Sequence, residues 1–585
     1  MTKTRILSLI LVLVMIVSCL ASCSFGGGGG NEGEGEGEGE QNAPVQGESG
    51  ENDEGRFGDK DHETAEDWWD SISYETTDLI FQMTLCSNYE ELPSGCERYL
   101  SGFKANGESA SESQYIDELV EKRNDAAYST TNVNVDYRYY EDNASLYGFS
   151  KCFDVIFSEV TNATSTSPDM YCNFMTDMLV TSLKGSFANL YSTQHGTGDY
   201  AHKNYFDLKD KGYMADLMGS LTLNPNKAYV IASDYFLDLI RAFFIVPVNV
   251  SLYNQIAPEM IDDLNGDGAK DIGDIFEEAW AGDWTYDRLA EYSAKIYNNT
   301  DTVAGDSIMD VLGFGLGING LPAAGLVYTS SVKVINKEWN EATSSYTYGY
   351  PDDNEALVNL ANAVAALVNK PGVAIVTDGD AGTVGEPTPL LSIRNRFTNN
   401  KMLFGGIILV GSLEYESYQS MKSNGGFGVL PVPLYAKTMN DSGEQDMYLT
   451  QIHVVGRAGG ISSKTTKFVQ CSAFLQYQSI SSTDILNEYY DYNLTYDTAS
   501  GVDGNVEMLK YIRENVRTSF DKLYEDAIGF LAPDGTVLEE STRWHSLICD
   551  GQYHVTNMRD LYKTYVGPKG TSLANLVGQY DTLPS

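Results

Sequence analysis

This chain lacks most of what would assign it a chemistry. Only six of its 585 residues are histidine and eight are cysteine. There is no His-Glu-x-x-His, no Walker loop and no Gly-x-Ser-x-Gly, and none of His62, His195, His202, His453, His545 and His554 pairs at helical metal-ligand spacing. Basic residues are scarce: 38 Lys and Arg stand against 82 Asp and Glu, a net charge of -44. A surface of that sign repels a phosphate backbone, so nucleic acid is excluded as a partner. Past Trp68 no apolar stretch reaches membrane-spanning length. Apart from a Gly-Glu tract there is no internal repeat.

What the N-terminus does have is a layout. Lys3 and Arg5 precede an apolar run from Ile6 to Val17, too short to span a bilayer, and Leu20-Ala21-Ser22-Cys23 follows. The ending resembles the lipobox of bacterial lipoproteins, in which the cysteine becomes the lipid-bearing N-terminus. Residues 1–23 are thus expected to be a lipoprotein signal peptide with Cys23 as the attachment site; Cys19 is the weaker alternative. Residues 24–75 are rich in Gly and Glu, cannot bury a core and repel themselves, so they predict an extended tether between lipid and body.

The six remaining cysteines, Cys86, Cys96, Cys152, Cys172, Cys471 and Cys549, are scattered and imply no disulfide framework. Cys152 and Cys172 stand at apolar positions and read as small core residues. Cys86 and Cys96 are spaced so that a bridge would close a loop.

The body of about 510 residues is too long for one core and suits two. Asp78–Cys86 reads as a buried strand. Ser111-Glu112-Ser113-Gln114 is a capping box opening a helix that carries Tyr115, Ile116, Leu119 and Val120. Val133 to Tyr139 alternates as a strand, Leu146 to Val160 has helical spacing, and Met170–Met175 is a further strand. Strand and helix alternating in this way imply a parallel sheet wrapped by helices. Ligands in such sheets bind beyond the carboxyl ends of the strands, which directs attention to Ser87, Asn88, Asn173, Thr176 and Asp177. Ala228–Val250 is nearly continuous apolar sequence with Asp234 and Tyr235 embedded. Later come a helix over Asn354–Asn369, a strand over Met402–Val410 with Ser412 just past it, and a strand over Gly428–Pro433.

Four of these later segments carry a resemblance. They are Val248-Asn249-Val250-Ser251-Leu252-Tyr253-Asn254, Gly282-Asp283-Trp284-Thr285-Tyr286-Asp287-Arg288-Leu289, Asn400-Lys401-Met402-Leu403-Phe404, and Gly428-Val429-Leu430-Pro431-Val432-Pro433-Leu434-Tyr435. In this order they resemble the extracellular solute-binding protein family 1, the maltose-binding-protein-like group serving ABC importers. Met402 departs from the family's small residue there. The resemblance implies an α/β, two-lobe periplasmic-binding-protein-like fold with a hinge between the lobes. Lobe one would hold 76–247 plus 453–490, and lobe two 248–452 plus 491–585. It also implies a captured solute, an oligosaccharide first of all, and ABC permease subunits as partners, with no catalysis and no organic cofactor.

Candidate contacts follow from residue type. Sugar rings stack on aromatic faces and their hydroxyls meet planar polar groups. Trp339 and Trp544 lie in polar sequence and are cleft candidates, with Tyr235 and Tyr328 near predicted strand or crossover ends. Trp284 reads as core. Asp234 is costly in an apolar run unless paired, so it is a satisfied structural acid or an acceptor for a ligand hydroxyl. A lone carboxylate such as Glu414 reads as solvated. Asp263-Leu264-Asn265-Gly266-Asp267-Gly268-Ala269-Lys270-Asp271-Ile272-Gly273-Asp274 resembles an EF-hand or dockerin calcium loop, with Asp263, Asn265, Asp267, Asp271, Asp274 and the Ala269 carbonyl as oxygen ligands and Gly266 at the sharp turn. The ion would be structural. Two other functions compete: a surface-tethered glycoside hydrolase, on the carboxylates and aromatics, and a cell-surface scaffold component, on the dockerin-like loop.

Overall fold

Leu79, Phe81 and Met83 alternate along β1 (Thr77–Thr84), and all three are fully buried, as a strand covered on one face requires. The computed structural model describes residues 69, 72, 74–84, 96–102, 114–140, 149–193, 203–210, 212–300, 310–317, 321–330, 332–376, 389–437, 448, 450–453, 455–490, 502, 504–517, 520–530, 543–549 and 558–584. Cys23, the tether, Cys86, Ser87 and Asn88 lie outside these residues, as do the first three residues of the expected capping box and the side chains of Cys96 and Cys152. Among the described residues no helix is long and apolar enough to cross a membrane.

The first lobe continues through α1 (Cys96–Ser101), α2 (Gln114–Thr131), β2 (Val133–Tyr140), α3 (Phe149–Thr161), β3 (Met170–Phe174) and α4 (Met175–Leu183). β1 is parallel to both β2 and β3, so the alternation of strand and helix does build a parallel sheet. A helix α5 (Ala215–Leu221) and a single turn α6 (Asp238–Arg241) lead to β4 (Phe244–Asn249), which already belongs to a second sheet. The chain therefore leaves the first lobe at Ala242–Phe243, a few residues before the expected boundary at 247.

The second lobe is built from α7 (Val250–Met260), α8 (Ile272–Trp280), α9 (Tyr286–Ile296), β5 (Leu312–Gly317), α10 (Leu321–Tyr328), the hairpin β6 (Asn336–Asn340) and β7 (Ser345–Gly349), α11 (Glu355–Val368), β8 (Val373–Val376), α12 (Pro389–Thr398), β9 (Met402–Phe404), β10 (Ile408–Leu409) and β11 (Phe427–Leu430). The sequence predicts one strand over 402–410. Two form instead, because Gly405 and Gly406 separate them and Gly406 takes a φ of +75, a conformation glycine adopts without penalty. The four family-like segments converge in this lobe's core. Trp284 is fully buried, donates from Nε1 to the Pro431 carbonyl (2.9 Å) and packs its ring 5.1 Å from Phe404. Asn249 caps α7 by accepting from Leu252 N (3.0 Å) and donates to Asn400 Oδ1 (2.7 Å).

β12 (Thr450–Gln451) precedes the return to the first lobe, where β13 (Arg457–Ile461) joins β3, followed by α13 (Phe468–Ile480) and α14 (Thr483–Glu488). Last come α15 (Asn505–Glu514), β14 (Val516–Arg517), α16 (Phe520–Phe530), α17 (Trp544–Cys549) and α18 (Met558–Thr582). The sequence assigns 491–585 to the second lobe. Only part of it stays there: α15 packs on β11 and α17 on α10, whereas α16 packs on α4 and α5 of the first lobe.

Each sheet thus contains one strand delivered by a crossing, and that strand is antiparallel to the others. β13 runs against β3, and β4 runs against β9, which is itself parallel to β5. A strand that starts at a crossing and runs antiparallel to its neighbours forces their carboxyl ends toward that crossing. The carboxyl ends of both parallel sets therefore point at the same seam.

Candidate functional site

Two of the crossings, at Ala242–Phe243 and Ile452–His453, lie side by side. Phe243 and Ile452 form an antiparallel bridge, and His453 N donates to the Ala242 carbonyl (2.8 Å). Val410 N, from the strand end of the second lobe, donates to the Phe243 carbonyl (3.0 Å). Next to them sits a buried ionic knot. Arg241 Nη1 donates to Asp238 Oδ1 (2.6 Å), its partner at i−3 on α6, while Nε and Nη2 donate to the two oxygens of Glu414 (2.8 and 2.7 Å). Tyr489 OH donates to Glu414 Oε1 (2.5 Å), and the Tyr99 ring lies 5.4 Å from the guanidinium. Burial works against the charge on Arg241, but Glu414 and Asp238 beside it hold it charged well above the ordinary guanidinium range. Burial, then Glu414, pushes the Tyr99 hydroxyl well up, and the same causes act on Tyr489.

Glu414 is therefore not the solvated carboxylate its sequence suggests. It joins the lobes, since Arg241 and Tyr489 come from the first and Glu414 from the second. Asp238 and Glu414 are both out of water and bonded to one cation, so this pair offers neither an exposed acid nor a nucleophile. Sequence reasoning missed Arg241. The signal was an Asp and an Arg three residues apart inside the Ala228–Val250 apolar run, where neither could stay unpaired.

At the carboxyl end of β3, Asn173 and Asp177 come together. Asn173 Nδ2 donates to Asp177 Oδ2 (3.1 Å) and Asn173 Oδ1 accepts from Phe174 N (2.8 Å). Asp177 occupies the first turn of α4, where a carboxylate is favoured by the helix dipole. Thr176 is fully buried beside them, and its Oγ1 has no hydrogen-bond partner among the described residues. Met175 N donates to the Gly456 carbonyl (3.0 Å), which sets this strand end against the returning crossing. Ser412 is buried in the single turn that carries Glu414.

The other candidates divide. Asp234 is half-buried, and burial raises its carboxyl to about 7, with the Arg513 charge opposing the shift. Tyr235 is fully buried: its OH shares a hydrogen bond with Tyr137 (3.0 Å) and its ring receives Arg123 at 4.8 Å, so it is core and not cleft. Tyr328 and Trp544 are also core. Tyr328 OH donates to Glu525, whose other oxygen accepts from Trp544 N (2.7 Å) and Lys569 Nζ (3.3 Å). Burial would raise Glu525, but the charges of Lys569, His545 and Lys522 hold it at about 2. Trp339 is 39% exposed on β6, edge-on to Tyr346 (5.1 Å), on the hairpin and not at a strand end.

The Asp263–Asp274 loop closes on its own backbone. Asp263 accepts from Gly266 N (2.7 Å) and Gly268 N (2.9 Å), Asn265 from Asp267 N, and Asp267 from Ala269 N. Asp271 caps α8, and the buried Asp274 accepts from Leu264 N (2.7 Å) and Asp271 N (2.9 Å). Among the described residues no three His, Cys, Asp or Glu side chains converge closely enough to hold a metal ion.

No family model and no curated protein matches the chain. Solved structures do. A family 1 extracellular solute-binding protein from Bifidobacterium longum subsp. infantis is 12% identical over 86% of this chain and 100% of its own, at a TM-score of 0.44. The galacto-N-biose-/lacto-N-biose I-binding protein of an ABC transporter from Bifidobacterium longum, in complex with lacto-N-biose, is 10% identical over 88% and 100%, at 0.47. The sugar-binding protein MalE from Xanthomonas citri is 10% identical over 87% and 100%, at 0.46.

Proposed function

We propose that this chain is the solute-binding component of an ABC importer, tethered by a lipid on Cys23 to the outer face of the bacterial cytoplasmic membrane. It takes an oligosaccharide into the seam between its lobes and passes it to permease subunits without chemistry. The observation that supports this is the reciprocal crossing. Each sheet accepts one antiparallel strand from the crossings, so the parallel strands of both sheets end at one seam, where ligands of open α/β sheets bind. Asn173, Asp177, Asp234 and Ser412 are the proposed polar contacts there. The sugar class rests on the resemblance of the four segments and on an aromatic supply of 39 Tyr, 22 Phe and 6 Trp. The test is titration calorimetry of the secreted chain against a panel of oligosaccharides, amino acids and short peptides. A glycan binding in the micromolar range is expected. Binding of peptides or amino acids alone would remove the sugar class, and release of reducing sugar would restore the hydrolase.

Calcium is proposed only as a weak structural ligand of the Asp263–Asp274 loop. The loop already closes on backbone N–H groups without an ion, and the short reach of Asp at the last position weakens the site further.

A further inference from the structure

The segment expected as tether, 24–75, runs into the body before it ends. Trp69 stacks its ring on that of Tyr205 (centroids 6.1 Å apart, 9° between the planes) and meets that of Tyr477 edge-on (5.4 Å, 73°). Both are arrangements that aromatic pairs favour. The cradle belongs to the first lobe. Tyr205 is buried, and its N donates to Ser472 Oγ (3.1 Å) on α13, the helix that carries Tyr477. Gln476 Oε1, next to Tyr477, accepts from Asp207 N (3.0 Å) and Tyr213 OH (2.6 Å), which ties the Tyr205 stretch to the same helix a second time.

Between Trp69 and β1 the contacts stay on this lobe. Ile72 N donates to the Trp69 carbonyl (2.9 Å), and the Ile72 side chain packs on the core. Tyr74 is buried, and Thr77 N at the start of β1 donates to the Asn132 carbonyl (2.9 Å) just past α2. Charge does not hold the segment there. The sequence before Trp69 is acidic and the chain as a whole carries -44, so like meets like. The hold comes from ring contact and apolar burial, which salt does not screen.

We propose that Trp69 is a clip that ends the tether on the first lobe, so that the first lobe is the anchored one and the second is left free to close on it about the crossings. The role of the clip rests on the tether reading, while its docking needs no lipid on Cys23. Failure of the anchor and failure of the clip are therefore separate results.

Hydrogen exchange of the full chain tests the docking. The Ile72 amide should exchange on the order of a hundredfold slower than an unprotected amide, and as slowly in molar salt as in dilute buffer. Trp69→Ala should speed it about tenfold or more, Trp69→Phe should keep most of the protection, and the amides of β5 and β9 in the second lobe should not change. Proteolysis is the second readout. A Glu-specific protease should cut the parent after Glu66 and spare the bond after the exposed Glu75. Trp69→Ala, and Tyr477→Ser from the cradle side, should each open that bond to cleavage about tenfold faster. An unprotected Ile72 amide in the parent overturns the clip, as does protection that salt removes. Equal cleavage after Glu75 in parent and both variants overturns it too. Faster exchange in β5 and β9 on Trp69→Ala would show a contact that reaches the second lobe, and overturns the assignment to the first.

Discussion

Arg241 holds Glu414 with two arms of its guanidinium, Nε at 2.8 Å and Nη2 at 2.7 Å, with the arginine fully out of water and the two residues drawn from different lobes. Two desolvated charges bind tightly only when both are present. Arg241→Met leaves Asp238 and Glu414 buried without a cation, and a loss of about 3–5 kcal/mol is expected in urea unfolding. Glu414→Gln should cost less, since Asp238 still balances Arg241. A loss below about 1 kcal/mol for Arg241→Met would place water in the seam and disprove a dry ionic knot.

Acid should tighten the fold through Asp234. Its folded carboxyl is raised by burial to about 7, from 3.8. The folded state therefore keeps a proton that the unfolded chain gives up between those values, and stability falls as pH rises from about 4 to 7. Asp521, raised by burial to about 7 against its bonds from Val334 and Ile335, adds a slope of the same sign. Asp234→Asn should be more stable than the parent at pH 8, on the order of 2 kcal/mol after allowance for partial exposure. The two should be equal at pH 4. A difference independent of pH would assign Asp234 a role other than a buried charge.

How much of this could be read beforehand depends on what each signal reports. The four family-like segments meet in one core: Trp284 reaches Pro431 and Phe404, and Asn249 reaches Asn400. Such segments are legible because they hold the second lobe together, and for the same reason they are silent about ligand. The strand ends were legible too, because Asn173 and Asp177 follow from the alternation of strand and helix. Aromatics were not. Tyr235, Tyr328 and Trp544 look alike in sequence whether they face a sugar or a partner such as Tyr137 or Glu525, and only packing separates the two. Contacts between distant segments were hidden for another reason. Lys337 and Tyr348 act through backbone carbonyls more than 100 residues away, and carbonyls leave no trace in sequence.

The anchor is open to a direct test. Cys23→Ser removes the thiol that would carry lipid, and the chain should move from the detergent phase to the aqueous phase in Triton X-114 partition. Cys19→Ser should leave it in the detergent phase. The reverse pattern would transfer the lipid to Cys19, and aqueous partition of the unsubstituted chain would remove the anchor altogether.

Calcium is expected to act late and weakly on the Asp263–Asp274 loop. Asp274 is fully buried and already holds Leu264 N and Asp271 N, so the start of α8 is closed without an ion. Asp274→Ala should therefore lower the melting temperature even in chelator, by the loss of the capping-box partner of Asp271, worth about 1 kcal/mol. Asp263 and Asp267 bear on the ion alone. Their bonds are to exposed loop amides, and in chelator the double substitution Asp263→Ala with Asp267→Ala should change little. Melting should be the same in chelator and in micromolar calcium. It should rise only at millimolar levels, since a ligand at tenfold its Kd contributes RT ln 11, about 1.4 kcal/mol. The double substitution should abolish that rise. Equal melting in chelator and in 10 mM calcium would make the loop a turn and nothing more.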